Sequence, residues 1–101
     1  MKKICVLAAV VLLATTSTIL LIAADGAALY GERCGMCHGA KGEGNKDAGM
    51  PQVNGTKMTV EKITDLLFKG DPDMNIHRNP IGQLNEEQAK AVAEFIKKME
   101  D

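Results

Sequence analysis

Cys34, Cys37 and His38 lie in the run Cys-Gly-Met-Cys-His. On a helical turn, thiols three positions apart face the same way, so both can reach the two vinyl groups of one haem and form thioethers. The histidine directly after them then lies against the iron and supplies imidazole, a ligand that haem iron takes up readily. The spacing therefore predicts one covalent c-type haem, attached through Cys34 and Cys37, with His38 as an iron ligand. Two other chemistries use paired cysteines. A structural zinc ion needs four ligands. Cys34, Cys37, His38 and His77 are the only candidates, and adjacent Cys37 and His38 are poorly placed to turn both side chains to one tetrahedral ion. A thioredoxin-like dithiol belongs in a βαβ setting, and no β-branched strand run precedes this motif.

Three helical patterns, separated by loops bearing Gly and Pro, must position these groups. The first runs from about Asp25, a capping residue type, to the cysteine pair, with Gly26, Leu29, Tyr30 and Arg33 at helical spacing. The second begins near Thr59, carries Val60, Ile63, Leu66 and Leu67 on one face, and stops at Gly70 with Pro72 just beyond. The third starts at Asn85, with Gln88 at the reciprocal position of a capping box. Its Ala89, Val92, Ala93, Ile96 and Met99 form a stripe of period near 3.6. No segment alternates with period two for long enough to predict a strand, so the class is all-α. The stretch Gly39-Ala-Lys-Gly-Glu-Gly44 lacks the preceding strand and the Lys-Ser/Thr pair of a phosphate loop. Its glycines are expected to let the backbone turn closely under the haem edge. Lys41, Lys46, Lys57 and Lys62 are expected on a solvated surface.

The chain has 101 residues. Lys2 and Lys3 precede the almost wholly apolar stretch Ile4 to Ala24, which closes on Ala23 and Ala24: the layout of a secretory signal. Residues 1–24 are thus expected to be cleaved on export to the periplasm. The alternative is an uncleaved anchor, because the stretch is about as long as a bilayer-spanning helix requires. Cys5 lies at the start of this run, so it leaves with the signal and does not carry a lipid. Residues 25–101 then form one small domain. A domain this short is hard to stabilise with its own core, and one Tyr, two Phe and no Trp leave large core-filling side chains scarce. A covalent haem supplies that bulk. Setting aside Lys2 and Lys3, ten Lys/Arg face thirteen Asp/Glu, a formal charge of −3, which gives no support to nucleic-acid binding.

With these features together, the chain after the leader resembles the class I cytochromes c, most closely the small monohaem c553-type proteins of sulfate-reducing bacteria. The residues that carry the likeness are Ala24-Asp-Gly-Ala-Ala-Leu-Tyr30, the Cys-x-x-Cys-His-Gly-Ala run, and Asn85-Glu-Glu-Gln-x-Lys-Ala-Val-Ala-Glu-Phe-Ile. The two ends are more specific than the middle. The resemblance implies the small cytochrome c fold, three main helices wrapped around one haem. It implies that Gly26 and Tyr30 cross the last helix near Phe95. It also implies that the Pro51 carbonyl accepts the ring N–H of His38, fixing the tautomer and raising the basicity of the ligand.

The sixth iron ligand has two candidates. The family normally uses methionine, which raises the potential relative to a nitrogen ligand. Matching forward from Gly70 puts Met74 there, and this is the favoured reading. Matching backward from Leu84 without a gap puts His77 there, with Ile76-His-Arg-Asn-Pro-Ile parallel to the family's Val-Met-x-Asn-x-Val. Met50 belongs to the opposite wall, and Met36, Met58 and Met99 are read as packing residues. The expected function is one-electron transfer by a soluble, monomeric periplasmic carrier that meets its donor and acceptor transiently. No nucleophile, base and oxyanion constellation points to an enzyme. Two alternatives are a haem-based sensor with a displaceable sixth ligand and a membrane-anchored redox subunit.

Overall fold

The computed structural model describes residues 24–100. The leader, expected over residues 1–24, lies almost entirely outside them. The described chain folds as α1 (Gly26–Arg33), α2 (Gly35–His38), α3 (Val60–Lys69) and α4 (Glu86–Lys98). Among the described residues there is no strand, only an isolated bridge between Asn45 and Met50. The fold is all-α.

Helix ends follow local chemistry. Asp25 Oδ1 accepts from the Ala28 N–H at 3.1 Å and Thr59 Oγ1 from Lys62 N–H at 3.2 Å. Asn85 and Gln88 form both halves of the capping box, at 2.8 and 2.9 Å. Each such cap contributes about 1 kcal/mol by satisfying a donor left open in the first turn. The first helix, expected to run from about Asp25 to the cysteine pair, reaches Arg33, the residue before Cys34. It breaks at Cys34, whose φ of −120° leaves the helical region, and a separate single turn, α2, follows. Cys34 N–H still bonds to the Tyr30 carbonyl at 2.8 Å. The break therefore re-aims the turn without leaving that donor unpaired.

Helix α4 packs against both α1 and α3. Its Ala89, Val92 and Ala93 are wholly buried and join Tyr30, Ile63, Leu67 and Ile96 in one core. Small residues on α4 let the other helices approach closely. At Gly26 the approach is tightest: an added Cβ would lie 2.2 Å from the Ala91 carbonyl oxygen. Four residues on, the Tyr30 and Phe95 rings meet at 5.4 Å with planes tilted 51°. The crossing of Gly26 and Tyr30 with the Phe95 region is thus as the resemblance implied. Met58 and Met99 pack against the core, as expected. Met36 does not: it is 93% exposed. On the single turn of α2, Cys34, Cys37 and His38 line the slot described below, and the residue two positions after Cys34 points the opposite way.

Candidate haem site

The motif residues come from α2 and from the break at Cys34 that separates it from α1. Cys34 is buried and Cys37 exposed, and both are free thiols. Burial pushes the Cys34 thiol above its ordinary range, with the neighbouring Cys37 adding to the effect. His38 ends α2, and its Nδ1 lies 2.8 Å from the Pro51 carbonyl oxygen. A carbonyl can only accept, so Nδ1 carries the proton and the lone pair is left on Nε2.

The loop from Gly39 to Asn54 holds Pro51 in that position. Gly44 N–H donates to the His38 carbonyl at 2.7 Å, and Asn45 and Met50 exchange backbone bonds at 2.8 and 2.9 Å. Gly42 accepts from both Val53 and Asn54 N–H groups, at 2.9 and 3.1 Å. Gly44, at φ +71°, is where a side chain is excluded: a Cβ would lie 2.7 Å from both Gln52 N and the Met50 oxygen. The glycines of this segment thus pack against the backbone that carries Pro51. Buried Asn54 completes the clasp through its side-chain amide, which donates to the Lys41 carbonyl at 2.8 Å. The sequence reading missed Asn54, although Asn54-Gly55 is a turn dipeptide that marks the place.

On the other side, the chain leaving α3 turns at Gly70, which has φ +77°. A Cβ there would sit 2.4 Å from the Arg78 carbonyl oxygen, so the returning chain lies directly on this glycine. Asp71 N–H donates to the His77 carbonyl at 2.7 Å, and Ile81 N–H to the Leu67 carbonyl at 2.9 Å. His77 is therefore fixed where the loop comes back to the body of the protein. Met74 lies in the intervening turn, its N–H bonded to the Asp71 carbonyl at 3.0 Å, and is partly exposed.

Between these two walls is a slot in two compartments. The inner one, about 70 Å³, is lined by core residues including Tyr30, Met58, Ile63 and Leu67. The outer one, about 330 Å³, is lined by Cys37, Met50, Pro51, Met74, Ile76 and others. Cys34, His38 and His77 line both, whereas Met74 and Cys37 line the outer compartment. The His38 and His77 ring centroids are 6.0 Å apart, and the ring planes lie within 11° of parallel. His77 Nδ1 is buried without a hydrogen-bond partner. Burial lowers the pKa of His77, and the nearby His38 lowers it further, so its neutral, ligand-competent form is favoured.

These residues fit a haem. Two thiols stand beside an oriented imidazole on one wall of a largely apolar slot that divides about the His38–His77 line. No cluster of three or more His, Cys, Asp or Glu side chains suited to a bare metal ion occurs among the described residues. Paired thiols beside one imidazole are the donor set that covalent haem attachment would use.

Residues 22–96 match the family described as cytochrome c oxidase, cbb3-type, subunit III. No curated protein and no solved structure matches the chain. The match spans three of the four helices completely and α4 up to Ile96, together with the whole slot. A cytochrome c domain carries covalently bound c-type haem with its iron, and transfers electrons through it. Among the described residues, no helix is long and apolar enough to cross a membrane.

Proposed function

Because the chain belongs to this family of c-type cytochrome domains, we propose that it is a small monohaem electron carrier of the periplasm, not an enzyme. Cys34 and Cys37 hold the haem by thioether bonds, and His38 is the proximal iron ligand. The haem supplies the one-electron couple, and the chain binds, orients and tunes it. The observation that carries this reading is the 2.8 Å contact between His38 Nδ1 and the Pro51 carbonyl, beside the cysteine pair and in an apolar slot. That contact fixes the tautomer of His38, aims Nε2 into the slot and makes it a stronger donor. The tight backbone clasp of residues 39–54 keeps the acceptor in place, so little rearrangement accompanies a change of iron charge.

Met36, Ile76 and Met74 are exposed apolar side chains near the cysteine pair and the outer compartment. They give transient redox partners a small dry surface, of the kind that supports weak and rapidly dissolved encounters. The carrier is monomeric, and residues 1–24 are a cleaved export signal. The two ends of the chain keep the pattern of the c553-type proteins. A second reading, a redox subunit tethered by an uncleaved first segment, is favoured by the length of the apolar stretch Ile4–Ala24. N-terminal sequencing of the purified protein separates the two, since a carrier begins near Asp25.

The central reading is tested by acid–acetone extraction. The colour should stay with the protein, and it should become extractable when both Cys34 and Cys37 are replaced by alanine. Free extraction of haem from the wild type would refute covalent attachment.

A further inference from the structure

Resting on the haem reading above, we propose that His77, and not Met74, is the sixth ligand, so that the iron is held between two imidazoles. Four independent features converge. The first is separation. With metal–imidazole bonds of about 2.0 Å and roughly 1.1 Å from a ring nitrogen to the ring centre, two rings on opposite sides of one ion have centroids about 6 Å apart. The His38 and His77 centroids are 6.0 Å apart. Direct stacking would bring the planes to about 3.5–4.0 Å, and at 6.0 Å rings of this size barely overlap. The pair is spaced for something between them.

The second feature is position along the slot. His77 lines both compartments, as His38 does, whereas Met74 lines the outer one. The third is backbone support. The bonds from Asp71 N–H to the His77 carbonyl and from Ile81 N–H to the Leu67 carbonyl, with Arg78 seated on Gly70, hold residue 77 against the end of α3. Met74 lies out on the turn that these contacts close. The fourth is His77 Nδ1, a buried polar atom with no partner. Burying a ring nitrogen with no partner costs free energy, and a bond from the ring to iron is what would offset that cost.

Two imidazoles stabilise ferric iron more than an imidazole and a thioether do, since methionine ligation raises the potential. The protein is therefore a carrier of lower potential than a methionine-ligated one on the same scaffold, and its donors belong to the more reducing part of an electron-transfer chain. Both positions being filled by tethered side chains, neither CO nor peroxide gains the iron readily.

The experiment compares the haem-loaded wild type with Met74→Ala and His77→Ala by optical and EPR spectroscopy, potentiometry and CO addition to the ferrous form. In the wild type, oxidised protein should lack the weak sulfur-to-iron charge-transfer band at the red end of the visible spectrum. It should give a low-spin EPR signal typical of two imidazoles and take up no CO. Met74→Ala should leave the absence of the sulfur band, the two-imidazole EPR signal and the inertness to CO unchanged. His77→Ala should turn high-spin, bind CO stoichiometrically, and return to low spin on addition of imidazole. If His77→Ala does not accumulate, the wild type and Met74→Ala decide alone. A sulfur band in the wild type that Met74→Ala abolishes overturns the assignment and leaves the carrier reading standing. A high-spin or CO-binding wild type overturns it as well, in favour of an open sixth position. Haem that extracts freely overturns the carrier reading itself.

Discussion

Gly26→Ala should weaken the protein through one contact. The added Cβ would lie 2.2 Å from the Ala91 carbonyl oxygen, 2.7 Å from its carbon and 3.3 Å from Phe95 Cβ. A carbon normally approaches a carbonyl oxygen to about 3.3 Å, so the shortfall is roughly 1 Å. Neither side can yield by turning a rotamer, because the obstacle is the backbone of α4 behind wholly buried Ala89, Val92 and Ala93. Helix α1 must tilt away, at the roughly 1–3 kcal/mol typical of overpacking. The tilt also loosens the Tyr30–Phe95 ring pair, worth about 0.5–1.5 kcal/mol beyond area. Against this, alanine gains at most about 1 kcal/mol over glycine as a helix former, and less at the first helical position. The balance is a loss of about 2 kcal/mol, or about 8–16 °C in melting temperature for a domain of this size.

Gly31 provides the internal control, since it lies in the same helix and a Cβ there meets nothing within 4 Å. Gly31→Ala should therefore stabilise by up to about 1 kcal/mol. Urea and thermal unfolding of the two haem-loaded variants, followed by far-UV circular dichroism and by the haem absorption, give the comparison. If Gly26→Ala stabilises as Gly31→Ala does, the close crossing of α1 and α4 is refuted.

Two further outcomes are expected. Tyr30 donates its hydroxyl to the Gly39 carbonyl at 2.7 Å, and Tyr30→Phe should cost about 1 kcal/mol at neutral pH. Burial, then Cys34 and Glu43, push the phenol up to about 12, while an unfolded tyrosine ionises near 10. The unfolded state thus loses its proton first, and stability should fall as pH rises from about 10 towards 12. Thioether formation removes the Cys34 contribution but not the burial. The difference in urea midpoint between wild type and Tyr30→Phe should shrink over that window; a constant difference would count against a buried phenol. Ile76, 71% exposed near the outer compartment, should belong to the surface through which electrons pass. Ile76→Glu should slow electron self-exchange, read from NMR line broadening, by roughly tenfold at low salt, because like charges meet in the encounter. The optical spectrum should stay the same, and an unaltered exchange rate would place the docking surface elsewhere.

What could be read in advance divides along physical lines. Thr59, Gly70, Asn85 and Gln88 announced α3 and α4 because a cap is a bond between residues three or four positions apart, and such bonds are written locally. The break at Cys34 was not legible. Its dihedrals serve the burial of Cys34 and the aim of α2, and nothing in Arg-Cys-Gly-Met signals that. Met36 was assigned to packing on residue type alone, but a single helical turn already committed to three slot-facing residues leaves its fourth side chain in solvent. Pro51 was reached only by family resemblance. The group that matters there is a backbone carbonyl, which every residue possesses, and its placement depends on Gly42, Gly44 and Asn54 several residues away.

The distal side shows the same limit most sharply. Counting forward from Gly70 favoured Met74, and counting back from Leu84 favoured His77, because a loop of irregular backbone has no period by which to project a side chain. Its geometry is settled by which residue returns to the helix end. Gly70 permits a close approach, and the carbonyl that makes it belongs to Arg78, eight positions on, not to a residue next to Met74. A loop tied at 71–77 and again at 67–81 brings residue 77 to the body of the protein and leaves residue 74 on the turn. Those ties, and not the number of residues between Gly70 and Arg78, fix which residue stands over the slot. An insertion between Asp73 and Asn75 leaves the ties in place, so it should lengthen the exposed turn while His77 stays over the slot. An insertion between His77 and Ile81 should instead pull the imidazole off its axis and open the iron to CO.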